Sequence, residues 1–411
     1  MEIKPIFSAL MRSKTGPILV AIQVALSLAI LANALHIVSV RQAVAARPSG
    51  IADEAQVFNL SVKPLNRGGH EQQVANQKAQ AAALRAVPGV VSVADTNQIV
   101  LSRSGNYNSV AASRDQERTT ANPTMFITPD SLVKTWGLKL VDGRDFTPQD
   151  VQEIDPNTSK AFASVALITQ ALGEKVWPDA KSYVGKTLYY GTGADAREVT
   201  VIGVLERLQT PSAATGAQGE YSTIVPIRLS GQSRSLYTLR AEPGQRERAI
   251  KDAEEAIRKL HNGQVVLRST TQSEQRVERY KADHALSWML ITVSVLLMMV
   301  TASGIVGMAS LWVTQRRKQI GVRRALGARK FDILRYFVTE NLMITSAGIV
   351  GGVLGALGLN QLLVSKLELA RLPAEYMVIG AAAFWALGIA AVYGPAWRAA
   401  SISPALATRS A

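Results

Sequence analysis

Four stretches with no charged side chain, residues 15–40, 285–315, 341–365 and 376–397, constrain this chain more than any other feature. A helix rises about 1.5 Å per residue, so about 20 apolar residues cross a bilayer, and each stretch exceeds that length. The sequence therefore predicts transmembrane helices over 17–40, 285–313, 337–365 and 376–397. Charge then orients them. Residues 1–16, 314–336 and 398–411 together carry 13 Lys and Arg against 2 acids, whereas 42–284 carries 29 against 26. Basic short loops stay in the cytoplasm, so both termini and 314–336 are expected inside. The region 42–284 and a short loop at 366–375 are expected outside, in the periplasm of a bacterial inner-membrane protein. Orientation accounts for the formal charge of +14, which sets aside nucleic acid as a partner. Ala32-Asn33-Ala34 resembles a signal-peptide cleavage site, but the uncharged run continues through Val40, which favours a retained span.

The outer region reads as α+β. Residues 55–62 have the alternation and β-branched content of a strand, 71–87 those of a helix stopped at Pro88-Gly89, and 90–101 those of a strand again. The same order returns at 236–240, 245–260 and 265–268. The expected fold class is thus a membrane α-helical protein with an α+β extracytoplasmic domain, 42–272, made of two β-α-β units. An inserted second subdomain, about 124–229, separates them. Residues 273–284 (SEQRVERYKADH) contain no helix breaker and run into the second span, which predicts one continuous helix leaving the membrane as a stalk.

The chemistry-bearing patterns are weak. There is no cysteine, and His36, His70, His261 and His284 have no ligand spacing, so neither a metal site nor a catalytic constellation is expected. Val184-Gly185-Lys186-Thr187 ends like a phosphate-binding loop, yet Ala180 stands where that loop needs glycine and strand-like residues follow. Gly191, Gly193 and Ala196 imitate a dinucleotide fingerprint but lead into another strand. Asp142, Asp145 and Asp150 cluster among turn residues. The loop at 314–336 is more informative. Its charge suits topology and anionic lipid. Charge does not explain the apolar Ile320, Val322, Ala325 and Leu326 or the paired Gly321 and Gly327. These give a short two-faced segment suited to a partner's groove.

The stretch from Arg316 and Arg317 through Gln319, Ile320, Gly321, Val322, Arg323, Arg324, Ala325, Leu326, Gly327 and Ala328 resembles the signature of FtsX-like ABC permeases. Residues 140–150 (LVDGRDFTPQD), Val184-Gly185-Lys186 with Val201-Ile202-Gly203-Val204, and Pro395-Ala396-Trp397-Arg398-Ala399-Ala400 with Pro404, Ala405 and Ala407 are similar to elements of MacB-like permeases, in the same order. The resemblance implies a permease of the mechanotransmission type. It would work as a homodimer or heterodimer, with a separate ATPase binding ATP and Mg and pushing on the 315–334 loop. No cofactor and no enzymatic activity are expected of the chain itself. Gln319 departs from the family's glutamate, so the charge-assisted contacts of a carboxylate are absent there. Export of a drug, peptide or siderophore with a periplasmic adaptor and outer-membrane duct leads the expectations. Lipoprotein release, or regulation of a cell-wall hydrolase or sensor kinase, are the alternatives.

Overall fold

The computed structural model describes residue 10 and residues 14–66, 68–156, 158–367 and 371–401; Pro404, Ala405 and Ala407 lie outside them. The chain divides into two units, 1–42 with 283–411, and 43–282. The helices whose full length lies within the described residues are α1 (Thr15–Ala46), α2 (His70–Arg85), α3 (Leu132–Trp136), α4 (Gln170–Val176), α5 (Arg246–Leu260), α6 (Gln272–Gln315), α7 (Arg317–Ala325), α8 (Lys330–Leu367) and α9 (Ala374–Ala400).

In the first unit, α1, α6, α8 and α9 are long and apolar enough to cross a membrane. Van der Waals fit and polar links, rather than hydrophobicity alone, select their partners in such surroundings. Gly348 and Gly352, four residues apart on α8, bring its backbone against α1. A Cβ on Gly352 would lie 2.9 Å from the Leu28 Cβ, and one on Gly348 2.7 Å from the Ala21 carbonyl oxygen. Ser27 and Thr301 share a 3.0 Å hydrogen bond between α1 and α6. The Asn33 amide donates to the Ala356 carbonyl oxygen at 3.1 Å. Arg41 and Asp283 form an ion pair between α1 and α6.

The second unit holds two lobes. Strands β1 (Val57–Pro64), β2 (Val90–Asp95), β12 (Ser235–Ala241) and β13 (Val265–Thr271) form one sheet in the order β13-β1-β12-β2. The β1–β12, β1–β13 and β12–β2 pairs are all antiparallel. The two strand–helix–strand segments are therefore interleaved: each returning strand runs parallel to its starting strand with one strand of the other segment between them. Phe58, Leu60 and Val62 alternate toward α2 and α5, packing with Leu84, Tyr237 and Ile257. Burying side chains of this size stabilises the lobe by about 1.5–3 kcal/mol each.

The second lobe is a sheet ordered β3 (Val110–Ala111), β8 (Thr187–Tyr190), β9 (Arg197–Leu205), β7 (Val165–Thr169), β10 (Ser222–Val225) and β4 (Thr124–Ile127). Strand β5 (Leu140–Gly143) also pairs with β9, while β6 (Gln152–Ile154) and β11 (Ile227–Leu229) form a separate pair. This lobe begins at Val110, ahead of the boundary at 124 expected from sequence, because Val110 and Ala111 pair with β8. Strand β2 likewise ends at Asp95 rather than 101. The Asn97 and Gln98 amides donate to the Met125 carbonyl oxygen and draw the chain toward β4. Trp136 is fully buried where the lobes meet, its indole N–H donating to Thr238 Oγ1 at 2.7 Å.

The aspartate-rich stretch 142–150 is architectural. The Arg144 guanidinium grips both Asp150 oxygens at 2.7 and 3.2 Å, and Thr147 N–H donates to Asp150 at 2.7 Å. These contacts hold the Asp150 carboxyl well below its ordinary range. Gly143 (φ +75°) pairs with Gly203, so the β5 and β9 backbones approach where a Cβ would collide with the Ile202 carbonyl. Gly185 opens β8, and Gly191 and Gly193 form the β8–β9 turn with φ of +87° and +78°. No helix N-terminus stands at either of these decoy motifs.

Candidate functional site

Residues 316–328 form a helix with a built stop rather than an open loop. Arg316 precedes α7. Gly327, at φ +98°, follows it in the left-handed conformation that favours glycine. Ala328 N–H donates to the Arg323 carbonyl and Gly327 N–H to the Arg324 carbonyl, the paired bonds that close a helix on glycine. Asp332 then accepts from Arg329 N–H at 2.9 Å and starts α8. The A-L-G-A sequence is thus a helix terminus required by the sharp exit into α8.

The helix is seated on the first unit by its inner side. Ile320 is 5% exposed and belongs to the apolar cluster that includes Ile333 and Phe337; Gly321 is buried with it. Arg316 donates to both oxygens of Glu340 at 2.9 Å and lies over the Trp312 ring at 5.8 Å. Glu340 is only 1% exposed, so this is a buried pair whose partners depend on each other. Arg323 lies over the Tyr336 ring at 5.2 Å. Arg324 turns back to the Ala328 carbonyl at 3.3 Å.

The residues expected to dock a partner therefore separate into two groups. Ile320 is occupied inside the chain's own core and cannot also fill a partner's groove. Val322 and Leu326 are 50% and 84% exposed, and Ala325 is exposed beside them. Arg317, Lys318, Gln319 and Arg323 are exposed around this apolar patch, and Phe331 at the start of α8 extends it. Gln319 lines a crevice with Arg316, Arg323 and Tyr336. Because Glu340 already supplies the carboxylate for Arg316, glutamine at 319 leaves that guanidinium paired.

Sequence reasoning missed Glu340. A lone acid bordering the uncharged stretch 341–365 is the signal that could have found it, since an ionisable group at such depth needs a partner. Tyr336 and Trp312 carried no comparable signal, because an aromatic near a span end is ordinary.

The seated helix between long apolar helices, joined to a two-lobed outer unit, defines a membrane permease of the kind that carries a large folded domain between its first and second spans. Comparison with known proteins agrees. Residues 23–259 match the MacB-like periplasmic core domain and residues 291–404 the FtsX-like permease C-terminal region, so the chain belongs to the FtsX-like permeases with a MacB-like periplasmic core domain. Among curated relatives, the pyoverdine export ATP-binding/permease protein PvdT of Pseudomonas savastanoi pv. phaseolicola is 30% identical over 66% of this chain and 40% of its own length. The macrolide export ATP-binding/permease protein MacB of Acinetobacter baylyi is 27% identical over 66% of this chain and 40% of its own. MacB of Neisseria gonorrhoeae is 29% identical over 65% and 40%. The chain spans about 40% of the length of these relatives.

Proposed function

We propose that this chain is the permease half of an ATP-driven exporter in which a separate ATPase, binding ATP and its magnesium ion, docks on α7. The observation that carries this reading is the exposed patch of Val322, Ala325 and Leu326 on a helix held from beneath by Ile320 and the Arg316–Glu340 pair. Apolar side chains left facing water beside cations suit a partner groove that is apolar at its centre and acidic at its rim. In this reading both termini and α7 lie in the cytoplasm, the inner membrane holds the four long helices of a dimer, and unit 43–282 works in the periplasm. Closure of the ATPases pushes on α7, and α6 carries that motion outward without a continuous channel. The names of the relatives favour a siderophore or macrolide-like cargo, handed to an adaptor and outer-membrane duct.

The test is Leu326→Asp. The residue is almost wholly exposed, so the variant should insert in the membrane and unfold at the parent's temperature, yet fail to co-purify with the ATPase. Burial of such a side chain in a partner is worth about 1.5–3 kcal/mol, a tenfold or greater loss of affinity. Undiminished co-purification would refute docking at α7.

A further inference from the structure

The four-stranded sheet of the outer unit has a second face, opposite α2 and α5. Along β1, Phe58, Leu60 and Val62 point to those helices, so strand alternation sends Asn59, Ser61 and Lys63 to the other side. The same alternation places Leu236 and the preceding Arg234 there from the β12 side, and Arg268 and Thr270 from β13. Part of this face is covered by the loop after β2. The remainder is the floor of three adjoining cavities of about 670, 450 and 410 Å³, all of them lined by Arg234 and Leu236.

The charge of this groove is unbalanced. Lys63, Arg234 and Arg268 are exposed on neighbouring strands, and among the described residues none of them has an ion-pair partner. Ser61 is the register partner of Arg268, which puts Lys63 diagonal to Arg268, a spacing of roughly 7–8 Å between such positions. Three carboxylates line the groove, and none of them forms an ion pair with Lys63, Arg234 or Arg268. Glu274 accepts from Thr271 N–H at 2.8 Å. Glu278 pairs with Arg103 at 2.8 Å. Asp95 is buried at the back of one cavity. The uncharged polar lining is amide and hydroxyl, from side chains such as Asn59, Asn97, Gln98 and Ser102, and apolar Ile99, Ile127, Leu229 and Leu236 lie among them. Three like charges on one open sheet face repel one another unless anions lie between them. The volumes are those of small-ligand sites, and three unpaired cations over a mixed polar and apolar lining suit an anionic ligand.

We propose that this groove binds a small extended oligocarboxylate, whose separate carboxylates reach Lys63, Arg234 and Arg268 in turn. Guanidinium groups take carboxylates through two parallel N–H donors, and the ammonium of Lys63 takes a third as a point charge. The span of the cations across three strands calls for anionic groups set apart along a chain, so a compact single anion satisfies one of them at most. The site lies wholly within unit 43–282 and does not depend on what docks at α7.

Calorimetry on the full-length protein in neutral detergent, with tetraglutamate as the probe, tests this. Saturable one-to-one binding is expected at low salt, weakening steeply as salt screens the cations. Arg234→Gln and Arg268→Gln should each weaken it by about tenfold or more, the loss expected of one charge-assisted contact. Arg248→Gln, which removes one positive charge from the exposed surface of α5, should leave it unchanged. All three replacements are at exposed side chains, and equal unfolding temperatures will exclude misfolding. Absence of binding to the parent, or binding that survives Lys63→Gln, Arg234→Gln and Arg268→Gln combined, would overturn the proposal. So would inorganic phosphate binding as tightly as tetraglutamate, because a compact anion cannot use all three cations.

Discussion

Two buried acids show how single residues set the terms for each unit. Asp95 ends β2 with its side chain buried next to Asp130, whose carboxylate accepts Asp95 N–H at 2.9 Å and the Arg85 guanidinium at 2.6 Å. Burial, followed by the nearby Asp130 charge, pushes the Asp95 carboxyl up to about 7, against partial relief from Arg228. An acid whose folded pKa is raised binds its proton more tightly when folded. Its favourable contribution is complete below the unfolded value of about 3.9 and is lost as pH rises through about 7. Asp95→Asn removes that loss, which amounts to about 4 kcal/mol at most. Thermal unfolding of the full chain from pH 5 to 8 should therefore fall more steeply with pH in the parent than in the variant. Parallel profiles would show that Asp95 is not the titrating group. Glu340 poses the complementary case, because its charge is already matched by Arg316. Arg316→Ala strands a carboxylate that is 1% exposed, at a cost of about 3–5 kcal/mol. Replacing both residues by methionine should restore most of the lost stability, since the desolvation penalty goes with the pair. A single variant as stable as the parent would mean the pair contributes nothing.

At the scale of elements, α7 has a buried side and an exposed side, and the proposed docking uses only the second. Ile320→Ala should lower the unfolding temperature, because large-to-small changes in a packed core cost about 2–5 kcal/mol. Binding of the ATPase should weaken only as far as the helix loosens. Leu326, on the exposed end, is expected to behave the opposite way. If Ile320→Ala abolished co-purification without any thermal shift, the inner and outer sides would be wrongly assigned. The sequence made a two-faced apolar and basic segment legible here, but neither that it is a helix closed at Gly327 nor which apolar residue faced inward. At nine residues, α7 is too short for its periodicity to fix a phase, and the side it buries is chosen by Ile333 and Phe337 from α8. The long apolar helices and the strand–helix–strand order were legible because each rests on a local pattern. The interleaving of the two segments in one sheet and the early pairing of Val110 with β8 were not. Both depend on partners far along the chain, and a two-residue strand such as β3 leaves no pattern to read.

Across the whole molecule, the feature that bears most on mechanism is the continuity of α6, 44 residues without a break from Gln272 to Gln315. Its first residues are part of the outer unit's own core. Tyr280 is 2% exposed, with its hydroxyl donating to the Val44 carbonyl at 3.2 Å, and Arg276 grips Glu54. Arg279 donates to the Ser212 carbonyl at 2.9 Å. A helix breaker placed at Arg279 would therefore damage the outer unit as well as the helix. The boundary between the two units falls after Ala282, and that is where a break isolates transmission. Inserting Gly-Gly-Pro between Ala282 and Asp283 interrupts the backbone hydrogen bonds at about 3 kcal/mol for proline and about 1 for each glycine. Tyr280, Arg276 and their partners lie before the insertion, and α7 with its Glu340 anchor lies well after it, so both units should keep their folds. The proposed mechanism then requires ATP hydrolysis by the docked ATPase to continue while export stops. The paired measurement is the ATPase rate of the complex in reconstituted membranes and the export phenotype in cells. Export at the parent's level would show that α6 is not the mechanical link. Loss of hydrolysis as well, with parental unfolding temperatures for the complex, would show that the outer unit controls the ATPase rather than being driven by it.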